Sequence, residues 1–428
     1  MVPYFQQSQE ELLACQKELR KRYQDFQSRH LALDMSRGKP SPEQQDLSND
    51  MLKIHDYMTD DGVDCRNYGL LDGLPQVKQM FADIMGVPAA DTIVGGNSSL
   101  NMMYDAIARA MLFGVAPGST PWALCEHRKF LCPVPGYDRH FGITEHFGFE
   151  MINIPMDENG PDMDLVERLV SSDPDIKGIW CVPKFSNPTG VVYSDEVVRR
   201  FARLKPAAED FRIFWDNAYC VHDFDVDHPQ KLRNIFQECL AVGNPDMVYL
   251  FASTSKISFS GGGIAAMCAS EANIAYAKKL ISVQTIGPDK LNQLRHLKFF
   301  GDCQGILAHM KKHAAMIEPK FQAVLRIFRQ ELEGLGVATW TEPKGGYFIS
   351  VDAMPGCASR IYELCKQAGV KLTNVGATFP YGKDPKDSNL RIAPTYPPIE
   401  ELELAAELFC VCVKLAAVEH LLDVRSAA

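Results

Sequence analysis

Short apolar segments recur along this chain, and each is separated from the next by a helix-like segment or a long connection. None shows the polar alternation of a strand with one face in water. Apolar strands of this kind are typical of parallel sheets covered by helices on both faces. The sequence therefore predicts an α/β fold with a mainly parallel sheet, with strands at 122–126, 149–156, 176–183, 211–216 and 247–253.

The C-terminal third of the chain has a different pattern. Residues 302–335 predict one long helix, and strand-like segments then mix with a helix near 357–368 before a final helix from 398 to about 422. This order is typical of a smaller α+β unit. We expect a large domain at 50–300, and a small domain of residues 301–428 together with the N-terminal segment 1–49, where residues 6–33 predict a helix.

Composition argues against several classes of protein. Lys plus Arg is 44 and Asp plus Glu is 54, a formal net charge of −10, so we expect no nucleic-acid or membrane-surface partner. No run of about 18 apolar residues predicts a membrane span, and the polar N-terminus does not resemble a signal peptide. The 13 cysteines form no CxxC pair and the histidines no HExxH, which favours a reducing cytoplasm and no metal.

Polar residues follow almost every predicted strand, and Lys256 is the most informative of them. It comes after an apolar strand, in Ser253-Thr254-Ser255-Lys256, and before the glycines at 261–263. Ligands of open α/β sheets bind at this end of the strands. A lysine alone is usually a solvated surface group, but a desolvated lysine has a lowered pKa and can form a Schiff base. Ser253 and Ser255 could donate to phosphate oxygens.

The segment Gly95-Gly96-Asn97-Ser98-Ser99 joins a predicted strand to a helix. Glycines let the backbone approach a ligand, and a helix N-terminus favours an anion, although the segment could simply cap the helix. Neither this segment nor residues 261–263 fits GxGxxG or GxxxxGK[ST]. A dinucleotide or P-loop nucleotide site is therefore not predicted.

Four more residues are candidates for ligand contacts. Asp216 ends an apolar strand, where a carboxylate needs a donor such as a protonated ring nitrogen, and Tyr219 could reach the same ligand. Asn187 lies in Asn-Pro-Thr-Gly and offers a donor toward a phenolate oxygen. Arg391 lies in an apparent strand and could bind a carboxylate bidentately. The structural alternatives are a capping Asp, a plain turn and an internal ion pair.

Taken together and in order, these residues resemble the fold-type I pyridoxal-phosphate (PLP) enzymes, specifically the aspartate aminotransferase superfamily and its divergent bacterial-type Ic subgroup. Asn-Pro-Thr-Gly, Asp-Asn-Ala-Tyr and Ser-x-Ser-Lys follow in the family's order. Arg37-Gly38-Lys39-Pro40 resembles the glycine segment near the substrate carboxylate. Residues 68–73 resemble the segment that reaches a neighbouring subunit's phosphate.

The resemblance implies a role for each residue around the coenzyme ring. Lys256 would hold PLP as a Schiff base and then move the substrate proton. Asp216 would keep the pyridine nitrogen protonated, which preserves the ring as an electron sink. Asn187 and Tyr219 would donate to the phenolate oxygen, and Tyr137 would stack on the ring face.

The resemblance also implies a phosphate site, a carboxylate site and a homodimer with active sites at the subunit interface. Arg391 and the N–H of Gly38 would bind the substrate α-carboxylate. Tyr68 of the partner subunit would contact the phosphate. The remaining phosphate ligands would be Gly96, Asn97, Ser98, Ser253 and Ser255.

One position departs from the family pattern. Relatives usually carry an arginine eight residues after the Schiff-base lysine, and here that residue is Ile264. The phosphate, with a charge of roughly −2, would need hydroxyls, the helix dipole or another cation. A dicarboxylate substrate also needs a second cation besides Arg391, and Arg37, Arg139 and Arg66 are all candidates.

The implied reaction is transamination in amino-acid metabolism, with aspartate as the expected donor and 2-oxoglutarate as the expected acceptor. Two alternatives share the fold: a PLP-dependent lyase or synthase, and an aminotransferase with an aromatic or other non-dicarboxylic donor. A non-catalytic effector-binding module fused to a winged helix is disfavoured. The segment before Arg37 predicts one helix rather than three and is not basic enough for DNA.

Overall fold

The structure is a computed structural model that describes residues 2–427. Its strands are β1 (Leu33–Asp34), β2 (Thr92–Val94), β3 (Lys129–Val134), β4 (Glu150–Asp157), β5 (Gly160–Pro161), β6 (Ile176–Cys181), β7 (Arg212–Asp216), β8 (Val248–Ser253), β9 (Ala265–Cys268), β10 (Ala338–Trp340), β11 (Ile349–Ala353), β12 (Val370–Lys371) and β13 (Asn389–Ile392). Its α-helices are α1 (Gln9–Gln27), α2 (Pro42–Asp46), α3 (Pro75–Met85), α4 (Ser99–Phe113), α5 (Asp138–His146), α6 (Met163–Ser172), α7 (Asp195–Ala202), α8 (Ile235–Ala241), α9 (Glu271–Gln284), α10 (Lys290–Phe300), α11 (Cys303–Leu332), α12 (Ala358–Gln367) and α13 (Ile399–Ala427).

Eight strands form one central sheet in the order β2-β9-β8-β7-β6-β3-β4-β5. The five strands from β8 to β4 pair in parallel. β9 is antiparallel to both of its neighbours, and β5 is antiparallel to β4. The predicted α/β fold with a mainly parallel sheet is confirmed.

The central strands carry apolar residues at successive positions because both faces of the sheet are buried. Adjacent residues of β7 point to opposite sides, as they must in a strand. Phe214 packs with the rings of Trp180 and Phe130 on one face, with centroids 4.9 and 5.7 Å away. Trp215 meets Tyr193 edge-on at 5.6 Å on the other face. Each face has its own apolar cluster, and the sheet lies between them.

One predicted strand is wrong. Residues 122–126 contain a 3-10 helix, Trp122–Leu124, and the strand of this region is β3 instead. The apolar run is a core anchor, because Trp122 is fully buried and its Nε1 donates to Asp210 at 2.9 Å. β3 is harder to recognise because it begins with Lys129, which pairs with Asp173 at 2.8 Å.

A second, antiparallel sheet has the order β10-β11-β13, and β1 pairs in parallel with β12. The pairing of β1 with β12 joins the N-terminal segment to the C-terminal third. Buried residues of α1, α11, α12 and α13 share one apolar cluster with this sheet. The four predicted helices are confirmed as α1, α11, α12 and α13, although α1 ends at Gln27 and the predicted range 6–33 runs too far, since Leu33 begins β1. The domain boundaries stay a prediction.

The Pro- and Ser-rich stretch after Asp34 is more ordered than its composition suggests. It contains helix α2, which begins with a capping box: Gln44 N–H faces Ser41 Oγ at 3.5 Å, and Gln44 Oε1 accepts from Ser41 N–H at 3.0 Å. Within residues 2–427 as a whole, no helix combines the length and apolarity required to cross a bilayer.

Candidate active site

The carboxyl ends of β6, β7 and β8 bring the main candidate residues to one edge of the sheet. Asp216 is the last residue of β7, and it lies opposite Phe251 of β8 in the parallel register. Lys256 follows the end of β8 by three residues, and Asn187 follows the end of β6 by six. These side chains are distant in sequence, and the sheet places them side by side.

Lys256 lies over aromatic rings rather than beside an acid. Its Nζ is 4.6 Å from the ring centroid of Tyr219 and 5.9 Å from that of Tyr347. Within residues 2–427 it forms no ion pair. The amine is therefore half-buried and free to react with a ligand.

Asp216 has one occupied oxygen and one vacant oxygen. Its Oδ2 is 3.0 Å from His140 Nε2, and the two side chains are 4% and 1% exposed. Its Oδ1 is buried without a hydrogen-bond partner. Because an unpaired buried carboxylate oxygen is costly, this atom calls for a donor from a ligand.

His140 is a site residue that sequence reasoning missed. Its ring stacks on Trp180 at 4.3 Å with an interplanar angle of 10°, which fixes its orientation toward Asp216. Tyr137 meets the same ring edge-on at 4.9 Å. The available signal was weak: a histidine three residues after Tyr137, with nothing in its spacing to connect it to a carboxylate 76 residues away.

Arg391 and Asn187 form one unit with a residue that was not predicted. Arg391 Nη1 donates to Asn187 Oδ1 at 3.2 Å and to Asp138 Oδ1 at 2.9 Å, and its Nε faces Thr373 Oγ1 at 3.4 Å. The guanidinium also lies 4.9 Å from the ring centroid of Phe348. Because Asn187 Oδ1 accepts from Arg391, the amide nitrogen of Asn187 remains a donor for a ligand.

The two candidate tyrosines are protonated donors at neutral pH. Burial raises the pKa of Tyr219 far above its ordinary value. Burial also raises the pKa of Tyr137 to about 12, although the nearby Lys256 opposes that shift. Each phenol can therefore donate a hydrogen bond to an anionic oxygen.

Gly38 is where the N-terminal segment approaches Arg391. A Cβ at this position would lie 2.1 Å from Cζ of Phe348, so no larger residue fits without movement. Phe348 is the same ring that lies against the guanidinium of Arg391. The glycine is required for this close approach.

The predicted phosphate residues lie together. Ser255 Oγ donates to the carbonyl of Asn97 at 3.1 Å, and Ser253 Oγ donates to Ser255 Oγ at 3.2 Å. Ser98 caps helix α4, and Gly96 has a φ of +68° with open space where a side chain would be. Hydroxyls and a helix N-terminus are thus grouped as an anion site requires.

Ile264 does not replace the missing arginine. It is buried in the apolar cluster on one face of the sheet, and its backbone pairs with Thr254. Among the candidate phosphate residues, the groups available to an anion are hydroxyls, backbone N–H groups and the N-terminus of α4.

The remaining candidate cations differ in how free they are. Arg37 and Arg139 are exposed and form no ion pair among the described residues. Arg66 pairs with Asp64 at 2.8 Å and lies 3.8 Å from the ring centroid of Tyr57, so it is the least available of the three. Within residues 2–427, no three His, Cys, Asp or Glu side chains gather as a metal site.

Comparison with known proteins identifies relatives over almost the whole chain. The profile of the family described as "Aspartate amino-transferase" matches residues 7–425. An aspartate aminotransferase of Corynebacterium glutamicum is 47% identical over 407 residues, which are 94% of this chain and 94% of that protein. The crystal structure of an aspartate transaminase from the same organism superposes with a TM-score of 0.96 at 45% identity, covering 98% of this chain and 99% of the other.

A more distant structure shows the fold alone. LysN, an α-aminoadipate aminotransferase of Thermus thermophilus complexed with N-(5'-phosphopyridoxyl)-L-leucine, has a TM-score of 0.72 at 19% identity. The superposition covers 92% of this chain and 93% of that one.

Proposed function

The chain belongs to the aspartate amino-transferase family, and on that premise we propose that it uses pyridoxal phosphate, bound through Lys256, to move an amino group from aspartate to 2-oxoglutarate. Membership confirms the predicted fold type and the enzyme class, an aminotransferase. Aminotransferases of this fold use PLP, and the relative from C. glutamicum is named for aspartate.

The vacant oxygen of Asp216 carries the proposal for the coenzyme. A protonated pyridine nitrogen would supply the donor that Oδ1 lacks, while His140 holds Oδ2. The phosphate would lie in the cradle of Gly96, Asn97, Ser98, Ser253 and Ser255. Asn187 and Tyr219 would donate to the phenolate oxygen, and Tyr137 would cover the ring.

When bound, PLP supplies an electron sink that stabilises negative charge at the substrate Cα. The chain's own groups do the rest. The amine of Lys256 would take the proton from the substrate Cα and hold it at Nζ for return, because it is the only titratable amine placed over Tyr219 and Tyr347 among the described residues. Asp216 would favour the protonated form of a ring nitrogen that meets its Oδ1.

Arg391 is proposed to bind the α-carboxylate of the substrate. Its Nη1 is engaged by Asn187 and Asp138, while its Nη2 makes no hydrogen bond within residues 2–427. A carboxylate can bind at Nη2 and displace Asp138 from Nη1 to complete a bidentate pair. The N–H of Gly38 would add a further donor.

Arg139 and Arg37 are proposed for the distal carboxylate of a dicarboxylic substrate. Arg139 follows Asp138, which contacts Arg391, and Arg37 precedes Gly38, which lies on Phe348. Both cations are exposed and unpaired among the described residues, so either could pair with a substrate carboxylate without first breaking an ion pair.

A homodimer belongs to the same proposal. Tyr68 is 81% exposed, which is unusual for a large aromatic side chain. It adjoins Gly69, whose carbonyl packs closely against Gly287, and the nearby Val283 and Ile286 are exposed as well. A second copy covering this surface would place Tyr68 in the partner's phosphate site. We also propose a cytoplasmic location, since none of the cysteines in residues 2–427 is in a disulfide.

A visible absorption spectrum tests this proposal most directly. The purified protein reconstituted with PLP should show the visible absorption band of a Schiff base between PLP and Lys256. Aspartate should bleach this band, and 2-oxoglutarate should restore it. Lys256→Ala should lose the band and the turnover, whereas Lys129→Ala, which removes a half-buried lysine at the far end of β3, should keep both. Borohydride trapping should label Lys256.

Two results would contradict the proposal. A label on another lysine, or a Lys256→Ala protein with the full band and turnover, would remove the assigned lysine. Release of pyruvate or ammonia from a single amino acid without an acceptor would instead indicate a lyase.

A further inference from the structure

The loop that carries Lys256 is contacted by two different parts of the chain. One of them is α10, and the other is formed by α11 and the segment around Tyr347. His296 of α10 lies 3.0 Å from Thr254 Oγ1 and 2.8 Å from Ser258 Oγ. Thr254 in turn accepts from the N–H of Ile264 at 2.9 Å. These contacts fix the ends of the loop.

The other part reaches the loop's centre from the N-terminal and C-terminal segments of the chain. The hydroxyl of Tyr347 donates to the carbonyl of Lys256 at 3.4 Å. His309 Nε2, from α11, lies 3.0 Å from the carbonyl of Ile257. The carbonyl of Lys256 thus accepts a hydrogen bond from a buried hydroxyl outside the sheet, and α11 packs directly against the next peptide.

Gln44 connects these two contacts. Its Oε1 accepts from Ser41 N–H, so its Nε2 is the donor toward His313 Nδ1 at 3.0 Å and Tyr347 Oη at 3.3 Å. His313 therefore carries its proton on Nε2 and donates it to His309 Nε2 at 3.1 Å, so His309 Nε2 is an acceptor and does not donate to the carbonyl of Ile257. Burial lowers the pKa of His313 to about 3, and the network is neutral at physiological pH.

The geometry points to Tyr347 as a positioning residue for Lys256, held in place by Gln44, whose amide is in turn oriented by Ser41 and His313. Its ring forms one wall of the amine's surroundings and its hydroxyl holds the peptide of the same residue. Its neighbour Phe348 lies against Arg391. One dipeptide thus contacts both functional cations, so the position of the lysine depends on the segment that binds the substrate carboxylate. This inference rests on the proposed role of Lys256.

Tyr347→Phe removes the hydroxyl and keeps the ring, and Tyr23→Phe is its matched control. The hydroxyl of Tyr23 also donates to a buried backbone carbonyl, that of Leu364 at 2.8 Å, where α1 meets α12, and it makes no contact with the Lys256 loop. We expect Tyr347→Phe to lower kcat about fivefold, the factor that one neutral hydrogen bond is worth, with KM changed less than about twofold. It should also shift the visible band of the PLP-loaded protein. Tyr23→Phe should lower stability alone.

A second variant covers the case in which Tyr347→Phe does not fold. Gln44→Met removes the donor behind Tyr347 and His313 while leaving both side chains in place, and we expect the same shift of the band and a smaller fall in kcat. The assignment is overturned if the folded variants keep the wild-type band and kcat, if only KM changes, or if Tyr23→Phe lowers kcat equally. Because wild-type turnover and Lys256→Ala are measured alongside, a failure here is distinct from a failure of the proposed function.

Discussion

The two functional cations lie in opposite electrostatic surroundings. Lys256 stands over tyrosine rings with no acid in ion-pair distance among the described residues, whereas Arg391 is paired with Asp138 at 2.9 Å and with Asn187. A lysine that reacts must be able to give up its proton, and a nearby carboxylate would oppose that. An arginine stays charged whatever its neighbours, so the partly exposed Asp138 can hold the guanidinium in place without neutralising it. This contrast fits the proposed roles, in which Lys256 on the coenzyme side transfers a proton and Arg391 on the carboxylate side recognises a charge.

The largest effect should come from the coenzyme side. Asp216→Asn replaces the buried carboxylate by an amide that cannot hold a pyridine nitrogen in its protonated form. We expect kcat to fall about 100- to 1000-fold with every amino donor, as when one electrostatic contact to developing charge is lost. Steady-state rates with aspartate, alanine and phenylalanine measure this.

Asp210→Asn is the matched control for that change. Asp210 is also a largely buried acid, with its side chain 14% exposed, and it is bound by Lys177 at 2.9 Å and by Trp122 just before the start of β7, at the opposite end of that strand from Asp216. It should lower the melting temperature and leave kcat unchanged. If Asp216→Asn lowered kcat with aspartate alone, Asp216 would act in substrate recognition, and its assigned role toward the coenzyme would be wrong.

An intermediate effect should come from the cation that binds the distal carboxylate. Replacing it by methionine should lower kcat/KM for aspartate about 10- to 100-fold, the value of a charge-assisted hydrogen bond, without affecting alanine. Arg139→Met and Arg37→Met are compared in the same assay, and each serves as the control for the other. If kcat/KM fell equally for aspartate and alanine in both variants, neither arginine would bind the distal carboxylate.

The smallest of these three effects should come from Gly38→Ala. The new Cβ would displace Phe348, which lies against Arg391, so we expect KM to rise about tenfold for every donor while kcat changes little. Gly142→Ala is the control, because a Cβ there meets nothing within 4 Å. If kcat fell and KM did not, Gly38 would belong to the proton-transfer side of the comparison.

The order of the motifs could be predicted from the sequence because each motif is defined by a few consecutive residues. Asn-Pro-Thr-Gly, Asp-Asn-Ala-Tyr and Ser-x-Ser-Lys follow buried strands, and an apolar run that ends in polar residues is visible in one dimension. The strand at 122–126 failed for the same reason: an apolar run also suits a 3-10 helix that anchors Trp122, and periodicity over five residues does not separate the two.

The partners of those residues were not readable. His140 and Asp216 are 76 positions apart, Asp138 and Arg391 are 253 apart, and Gln44 and Tyr347 are 303 apart. Nothing local indicates such pairs, since a histidine, an aspartate or a glutamine on a helix suits many environments equally well.

The sequence by itself determined the α/β class, the lysine and the aspartate at the strand ends, and the family, because hydrophobic periodicity and turn chemistry are local properties of the chain. Only the tertiary structure decided which oxygen of Asp216 lacks a hydrogen-bond partner, which acid pairs with Arg391, and which hydroxyl donates to the backbone carbonyl of Lys256. Those outcomes depend on distances between segments that meet only when the two sheets and the N-terminal segment pack, and packing is a property of the whole chain.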